Sequence, residues 1–440
     1  MDLYESLSNS PSLNPIRCID MHTTGEATRI ILSGFPELTG TLLEQRKEYR
    51  DKHDQYRKTT MLEPRGHEGM YGALIVRDSE LIRSGEAHIA VLYLHNEGYS
   101  TMCGHAAIAL GRFLVDTHDL GVFPLRDTLP FNQDTLTTTV NLHTPCGINR
   151  LTVPTTFDGT KSDATRPVSF LSVPSFTGAL DLVVDIPQSL RWPELNGRTS
   201  ITVDLAYGGA WYCMVNVTEL GFVEGLGKLD MKTFDKVSQT IKTQIVETDS
   251  LVKQIAVPPG IEWYLYGIMV VDNVNTAHIP EVHATETGLC FFADQQIDRS
   301  PTGGCVAARM ALAHAKGKSR LSKRQAFNSF VSNANGGHGA FIGMNEEEVD
   351  IAGGHGISAK GVLVRISGEA FYTGTATFLL EPEDPIKDGF SVKELEHASS
   401  RTRRNASLTG WESVLLQYHF SVPLRVMNKY SKCYTQLDLK

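Results

Sequence analysis

The chain has 440 residues, 41% hydrophobic and 21% charged, with 41 basic and 50 acidic side chains and a formal net charge of -9. This composition is typical of a folded protein of two or three domains, and it argues against disorder and against a nucleic-acid partner. No run of about 18 apolar residues occurs, which argues against a membrane partner. Seven widely spaced cysteines without a C-x-x-C pair argue against a disulfide framework and a zinc site.

The first part of the chain predicts a set of strands around one helix. Runs of apolar and branched residues predict strands over 16–21, 29–32, 73–76, 87–94, 136–142 and 148–153. The charged stretch over 47–58 predicts a surface helix. A helix is predicted over 104–116, because apolar residues fall on one helical face at Ala106, Leu110, Phe113 and Leu114.

The second part repeats this arrangement after a polar crossing over 157–166. Strands are predicted over 168–173, 180–186, 201–205, 213–217, 266–272, 288–293 and 361–367. Helical spacing predicts helices over 230–247 and 303–317, the second with Val306, Met310 and Ala313 on one face. We therefore expect a first lobe over 1–160, with 362–390 returning to it, a second lobe over 168–361, and a tail over 391–440 without a usable motif.

Two helix starts carry the most informative residues. Cys103 stands directly before the first central helix, where unpaired backbone N–H groups and the helix dipole are expected to lower the thiol pKa. Thr302 stands at the matching position before the second central helix. Purely structural interpretations of these residues stay open. Cys103 could be a small buried hydrophobic residue, Thr302 could be a helix N-cap, and Asp298 could be an ordinary loop residue.

A thiolate at such a position can attack a carbon, bind a metal or take a proton. Clustered metal ligands are missing, and spacing alone does not fix whether His105 serves as a paired base. Helix starts bind anions, and Asp298 suits a protonated amine. The pattern thus predicts a pocket for a small amino acid, whose carboxylate would contact the N–H groups of Gly104, His105, Gly303 and Gly304.

Several motifs in order resemble the proline racemase family. They are Asp20–Glu26, Pro64–His67, Met102–His105 and Asp298–Gly303, and the resemblance extends from about Arg17 to Phe390. It implies an α/β (α+β) fold like that of diaminopimelate epimerase. Each of two similar lobes would be a curved mixed sheet wrapped around a central helix, with the active site in the cleft between them.

The resemblance also implies a mechanism. Family racemases and epimerases use one cysteine on each face of Cα, and Cys103 matches the first whereas Thr302 replaces the second. This replacement resembles the branch that removes water from trans-3-hydroxy-L-proline to give 1-pyrroline-2-carboxylate, with one cysteine as the base. Cys103 and Thr302 would be the catalytic pair, and Gly104, His105, Asp298, Gly303 and Gly304 would bind the substrate. No metal or organic cofactor, a cytoplasmic location and a possible homodimer are expected.

Two alternatives stay open. Cys305 is an extra thiol one helical turn from the site, and it could serve a proline racemase or 4-hydroxyproline 2-epimerase as the opposite thiol. The chain could also bind an amino acid without turning it over, although the presence of both Cys103 and Asp298 argues against this.

Overall fold

The structure is a computed structural model of the chain, and it describes residues 2–228, 230–353 and 359–392. Contacts between Cα atoms divide the chain into one unit over Met1–Ser391 and another over Val392–Lys440. The predicted tail lies outside the described residues from position 393 onward. The helices and strands named here all belong to the first unit.

The α-helices of the described residues are α1 Leu3–Ser8, α2 Leu42–Lys52, α3 Asp54–Met61, α4 Glu80–Arg83, α5 Gly104–Asp116, α6 Met231–Glu247, α7 Asp249–Val252, α8 Gly303–Ala315 and α9 Phe330–Ala334. The strands are β1 Ile16–Thr23, β2 Glu26–Ser33, β3 Gly72–Val76, β4 Ile89–Leu94, β5 Tyr99–Ser100, β6 Phe131–Asn132, β7 Thr137–Thr144, β8 Gly147–Pro154, β9 Val168–Leu171, β10 Phe176–Asp185, β11 Ser200–Tyr207, β12 Trp211–Asn216, β13 Leu265–Asp272, β14 Ala284–Phe292, β15 Gln296–Asp298, β16 Arg324–Ser329, β17 Phe341–Asp350, β18 Lys360–Gly368 and β19 Ala370–Phe378.

The strand pairings follow the same order in the two halves of the chain. Starting at β1, antiparallel β1–β2 is followed by parallel β2–β3, antiparallel β3–β4, parallel β4–β7 and antiparallel β7–β8. Starting at β11, the same alternation runs through β11–β12, β12–β13, β13–β14, β14–β16 and β16–β17. We call the first run, with α5, the first lobe and the second run, with α8, the second lobe.

Two further pairings complete and join the lobes. β19 lies antiparallel to β1 in the same way that β10 lies antiparallel to β11. β9 and β18, which pair with β8 and β17, also pair with each other and so link the two sheets. The predicted α/β class with two similar lobes is therefore confirmed, while the residue boundaries of the lobes stay a prediction.

A buried helix occupies the centre of each lobe. In α5, the apolar face predicted from the sequence is at most 3% exposed, and in α8 Val306 and Met310 are fully buried whereas Ala313 is half-buried. The sheet wraps these helices, with α5 contacting β1, β8 and β19, and α8 contacting β11, β17 and β18. Burying one large apolar side chain stabilises a fold by about 1.5–3 kcal/mol, so these two faces contribute strongly to holding each helix in its sheet.

The structure differs from the sequence prediction in a few elements. The surface helix predicted over 47–58 is wrong as a single element, because the chain forms α2 and α3 with His53 between them. Arg57 in α3 is only 3% exposed, since it pairs with Asp54 and donates to the carbonyl of His95. The strands β16 and β17 were not predicted, because their polar and acidic residues hide the strand pattern.

Candidate active site

The N-terminal ends of α5 and α8 meet at two glycines. A Cβ atom built on Gly104 would lie 2.4 Å from the Cα of Gly303, and one built on Gly303 would lie 2.7 Å from the Cα of Gly104. Backbone atoms cannot move aside as a flexible side chain can, so this contact requires glycine at both positions. Because first-turn N–H groups lack an acceptor within their own helix, the two helix starts direct unpaired donors to one place.

A small cavity lies beside this contact. All seven residues predicted for the site line it, together with Met102 and four aromatic residues. They are Cys103, Gly104, His105, Asp298, Thr302, Gly303 and Gly304. The structure thus brings together residues that are about 200 positions apart in the sequence, while their individual roles stay predictions.

Cys103 is the N-cap residue of α5 and is 5% exposed. Its Sγ accepts a hydrogen bond from the N–H of Ala106 at 3.4 Å and lies 3.2 Å from Nδ1 of His105. Burial raises the pKa of this thiol well above its ordinary value, and the Ala106 N–H only partly offsets the increase. The expected lowering of this pKa is therefore wrong in the closed cavity, because desolvation outweighs the helix start.

His105 is the polar partner of this thiol. Burial lowers the pKa of the imidazole, while Asp298 and the carbonyl of Ala27 raise it. The hydroxyl of Thr23 donates to the backbone carbonyl of His105 at 2.9 Å and so holds this residue against β1. A neutral imidazole beside a neutral thiol can accept the thiol proton, and this transfer creates a thiolate–imidazolium pair inside the cavity.

Thr302 is the N-cap residue of α8, but its side chain does not cap the helix. Its φ of 63° is in the left-handed region, which is uncommon for a β-branched residue. Its buried Oγ1 has no nitrogen or oxygen hydrogen-bond partner among the described residues. The N-cap interpretation fails for the side chain, and a hydrogen bond from the Thr302 hydroxyl lowers the pKa of the buried Cys290 thiol, although burial raises that pKa more.

Cys305 lies one turn further along α8 and does not line the cavity. Its side chain is fully buried, and burial raises the pKa of its thiol to about 12. This position gives no support to its use as an opposite catalytic thiol. Cys18, Cys213 and Cys290 are likewise buried, whereas Cys146 is partly exposed.

The loop that leads to Thr302 is held by the first lobe. Glu26 is fully buried and accepts the backbone N–H of Arg299 at 2.7 Å, while its carboxylate lies 3.7 Å from the Arg299 guanidinium. Asp298, 4% exposed, accepts the N–H of Ser300 at 2.8 Å. Burial, and then the nearby Asp298, raise the pKa of Glu26 well above its ordinary value.

An aromatic wall completes the cavity, and the sequence prediction missed it. The wall consists of Tyr71, Tyr212, Tyr266 and Phe292. They come from or beside four strands, β3, β12, β13 and β14, that are far apart in the chain. Aromatic residues are common in strands, so no local pattern marks these four as a set. The one usable signal is that Tyr71 follows the Pro64–His67 motif by four positions.

Tyr71 is the member of this wall with the closest polar contacts. Its hydroxyl lies 2.6 Å from the Oγ of Ser100, and its ring centre lies 4.7 Å from that of His105. A hydrogen bond from Tyr71 also lowers the pKa of Cys103, although less than burial raises it. Tyr71 therefore stands beside the thiol–imidazole pair.

A larger cavity, with a volume of about 960 Å³, lies elsewhere and contains none of the predicted site residues. Its lining includes Cys146 and Arg150 but no histidine, so it lacks the paired thiol and base found at the helix starts. Within the residues that the structure describes, no cluster of three or more histidine, cysteine or acidic side chains is arranged to hold a metal ion. No helix in the same part of the chain has the length and apolar character needed to cross a membrane.

Comparison with known proteins gives a consistent result. Residues 18–391 match the sequence profile of the family described as "Proline racemase". The chain is 39% identical over 388 residues to the Bos taurus protein named trans-L-3-hydroxyproline dehydratase, covering 88% of this chain and 97% of that one. It is also 39% identical over 392 residues to the Homo sapiens protein named trans-3-hydroxy-L-proline dehydratase, with the same coverage.

Solved structures resemble the fold. A hydroxyproline epimerase from Agrobacterium vitis, crystallised with trans-4-hydroxy-L-proline, superposes with a TM-score of 0.69 at 22% identity, covering 88% of this chain and 98% of that one. A probable proline racemase from Agrobacterium radiobacter superposes with a TM-score of 0.68 at 24% identity, covering 86% and 97%. At these identities the structural similarity supports the two-lobed fold alone and gives no information on the reaction or the substrate.

Proposed function

This chain belongs to the proline racemase family, and on that premise we propose that it is a trans-3-hydroxy-L-proline dehydratase. The proposed reaction removes the Cα proton and the 3-hydroxyl as water. The resulting enamine tautomerises to 1-pyrroline-2-carboxylate. Relatives that carry this activity in their names are 39% identical over nearly their whole length.

The observation that carries the proposal is the unequal pair of helix starts on one cavity. Cys103 offers a thiol at the start of α5, and Thr302 offers a hydroxyl at the start of α8. Racemisation needs an acid on the far face of Cα, and a threonine hydroxyl is far too weak an acid for that step. Elimination of water needs only one base at Cα, which matches what the cavity supplies.

The proposed roles follow from position and charge. Cys103 takes the Cα proton after passing its own proton to His105, whose Nδ1 is 3.2 Å away. The first-turn N–H groups of Gly104, Gly303 and Gly304 bind the substrate carboxylate. Asp298 bonds the protonated ring nitrogen, which compensates the buried carboxylate.

Burial imposes a condition on this mechanism. The buried thiol resists ionisation because a lone thiolate would be poorly solvated, as its raised pKa indicates. Transfer of the proton to His105 leaves the net charge of the dyad unchanged, so it avoids most of that cost. Reaction through such a dyad is the form of general-base catalysis that this cavity supports.

The test is conversion of trans-3-hydroxy-L-proline by purified protein, followed by NMR without added metal. We expect 1-pyrroline-2-carboxylate from the natural chain and a loss of at least about 10²-fold for Cys103→Ser. Cys146→Ser, which changes a thiol outside the cavity, is the matched control and should keep its activity. Absence of product from a folded preparation would contradict the proposal, and tight substrate binding without turnover would then favour an amino-acid-binding protein.

The location and assembly are further proposals. We propose a cytoplasmic protein, and a fluorescent fusion followed by fractionation would test this. We also propose a homodimer on the strength of the family resemblance. Light scattering after size exclusion should give about twice the chain mass of 48.5 kDa, and a mass of one chain would contradict it.

A further inference from the structure

The stereochemistry of the proposed substrate determines where its leaving group lies. In trans-3-hydroxy-L-proline, the 3-hydroxyl and the carboxylate are on opposite faces of the ring. The Cα hydrogen is also on the face opposite the carboxylate. The hydrogen and the hydroxyl therefore share one face, and a base that removes this hydrogen stands on the side from which the hydroxyl departs.

This relation changes the role open to Thr302. Cys103 belongs to the first lobe and Thr302 to the second, and each stands at the N-cap position of a helix whose start borders the cavity. When Cys103 faces the Cα hydrogen, Thr302 faces the other side of the ring. Thr302 can then help to hold the substrate in position. The proton for the departing hydroxyl has to come from a side chain on the same face of the ring as Cys103.

We infer that Tyr71 is the residue that protonates the departing 3-hydroxyl, an assignment that rests on the proposed dehydratase function. Tyr71 lines the cavity beside Cys103, and both belong to the first lobe. The Ser100 hydroxyl lies 2.6 Å from the phenol oxygen and donates to the carbonyl of Met102 at 3.3 Å, so it stabilises the phenolate that proton transfer creates by turning from that carbonyl to the phenolate. Burial, and then the nearby Cys103, raise the pKa of Tyr71 well above its ordinary value, and the Ser100 hydrogen bond lowers it by a smaller amount.

The other hydroxyl and imidazole groups of the cavity already have partners, and the Tyr266 hydroxyl is hydrogen-bonded to Tyr71. Tyr212 and Tyr266 come from second-lobe strands β12 and β13, and the Tyr212 hydroxyl lies only 2.9 Å from where a Cβ of Gly304 would be. That contact places the Tyr212 hydroxyl at the start of α8. His105 is already engaged, since one ring nitrogen faces Cys103 and the carbonyl of Ala27 acts on the ring as an acceptor.

The step balances within the cavity. The Cys103 thiolate takes the Cα proton, and the electron pair left behind forms the Cα–C3 double bond as the C3–O bond breaks. The departing oxygen takes the Tyr71 proton and leaves as water. The Cys103 thiol then returns its proton to the Tyr71 phenolate, so both side chains are restored and no oxidant or added acid is needed.

A change of leaving group tests this role. Trans-3-chloro-L-proline loses chloride, which needs no proton, whereas trans-3-hydroxy-L-proline needs one. We expect Tyr71→Phe to lower kcat for the hydroxyl substrate by about 10²-fold or more. The same variant should eliminate chloride within about threefold of the natural chain.

Ser100→Ala serves as a second variant, with a smaller fall for the hydroxyl substrate and none for the chloro substrate. Tyr93→Phe is the matched control, because Tyr93 is fully buried and its hydroxyl has no hydrogen-bond partner among the described residues. It should keep both activities. Turnover of the chloro substrate also shows that each variant is folded and that Cys103 still works as a base.

Three results would overturn the assignment. Equal losses on both substrates in Tyr71→Phe would mean that Tyr71 acts through the thiolate or the fold and not as an acid. Full water loss in Tyr71→Phe would place the acid elsewhere, with His105 the next candidate. If the natural chain does not dehydrate trans-3-hydroxy-L-proline, the proposed function itself is wrong. That result comes from the natural chain alone, so it is distinguishable from a failure of the Tyr71 assignment.

Discussion

The starts of α5 and α8 are alike in backbone and unlike in chemistry. Both follow a hairpin strand, and their first glycines meet in the same contact. Yet Cys103 has an extended backbone with its sulfur on the Ala106 N–H, whereas Thr302 has a left-handed backbone and a hydroxyl that caps nothing. A symmetric scaffold can therefore hold one reactive side and one supporting side.

The loop before each helix forms a hydrogen bond to the other lobe, and the two hydrogen bonds differ in chemistry. Thr101, before α5, donates its hydroxyl to the carbonyl of Gly209 in the second lobe at 2.7 Å. The loop before α8 is tied to the first lobe by the buried carboxylate of Glu26 through the Arg299 N–H. The Thr101–Gly209 hydrogen bond involves only neutral groups, whereas the Glu26–Arg299 hydrogen bond involves an ionisable side chain. Only the second is therefore expected to make stability depend on pH.

The largest effect is expected where the two helix starts meet. Gly104→Ala places a methyl group 2.4 Å from the Cα of Gly303, so the helices must separate. We expect a loss of about 1–3 kcal/mol in the free energy of unfolding and at least about 10²-fold in kcat. Denaturant unfolding and initial rates measure both.

Gly374→Ala is the control for this change, because a Cβ there meets nothing within 4 Å. It should change neither quantity appreciably. A Gly104→Ala protein of natural stability and rate would show that the close contact is not required.

The second prediction separates the two N-cap residues. Thr302→Val keeps the shape of the side chain and removes only the hydroxyl, so we expect kcat to fall less than about tenfold. Cys103→Ser should lose at least about 10²-fold. Steady-state kinetics on trans-3-hydroxy-L-proline compare them, and similar losses in both variants would contradict the unequal roles.

Part of this site could be predicted from the sequence alone. The two helix starts and seven of the twelve residues that line the cavity were identified from motifs, because helix spacing and cap position are local properties. The aromatic wall was missed because Tyr71, Tyr212 and Tyr266 become neighbours only through strand pairing. The direction of the Cys103 pKa shift was wrong because the sequence shows the helix start but not the burial.

The third prediction concerns the contact between the ionisable side chain of Glu26 and the Arg299 N–H. The pKa of Glu26 is raised above 4.5 by burial, so folding favours its protonated form. Its stabilising contribution is then present below about pH 4.5 and is lost as the pH rises toward the raised value. The glutamine in Glu26→Gln does not titrate. The Tm of this variant minus the Tm of the natural chain should therefore increase from pH 4 to pH 7.

Glu37→Gln is the control for this series, because the Glu37 side chain is 87% exposed. Its Tm difference from the natural chain should stay small across the same pH range. A Glu26→Gln difference that is flat or decreases with pH would mean that the buried carboxylate stabilises the folded state in its ionised form.

The smallest effect is expected at Cys305. Cys305→Ala removes a buried sulfur that does not line the cavity, so kcat should stay within about twofold. The free energy of unfolding should fall by about 1 kcal/mol for the lost packing. A large loss of turnover would instead bring Cys305 into the reaction and restore the two-thiol alternative.

The central claim, that one thiol acts on one face of the ring, is tested most directly with trans-4-hydroxy-L-proline in D₂O. This compound has no leaving group at C3, so the only visible chemistry is exchange or inversion at Cα. NMR and chiral chromatography of the recovered compound should show no inversion, with or without deuterium at Cα. Formation of the deuterated Cα epimer by the purified chain would show a working acid on the far face and contradict the account.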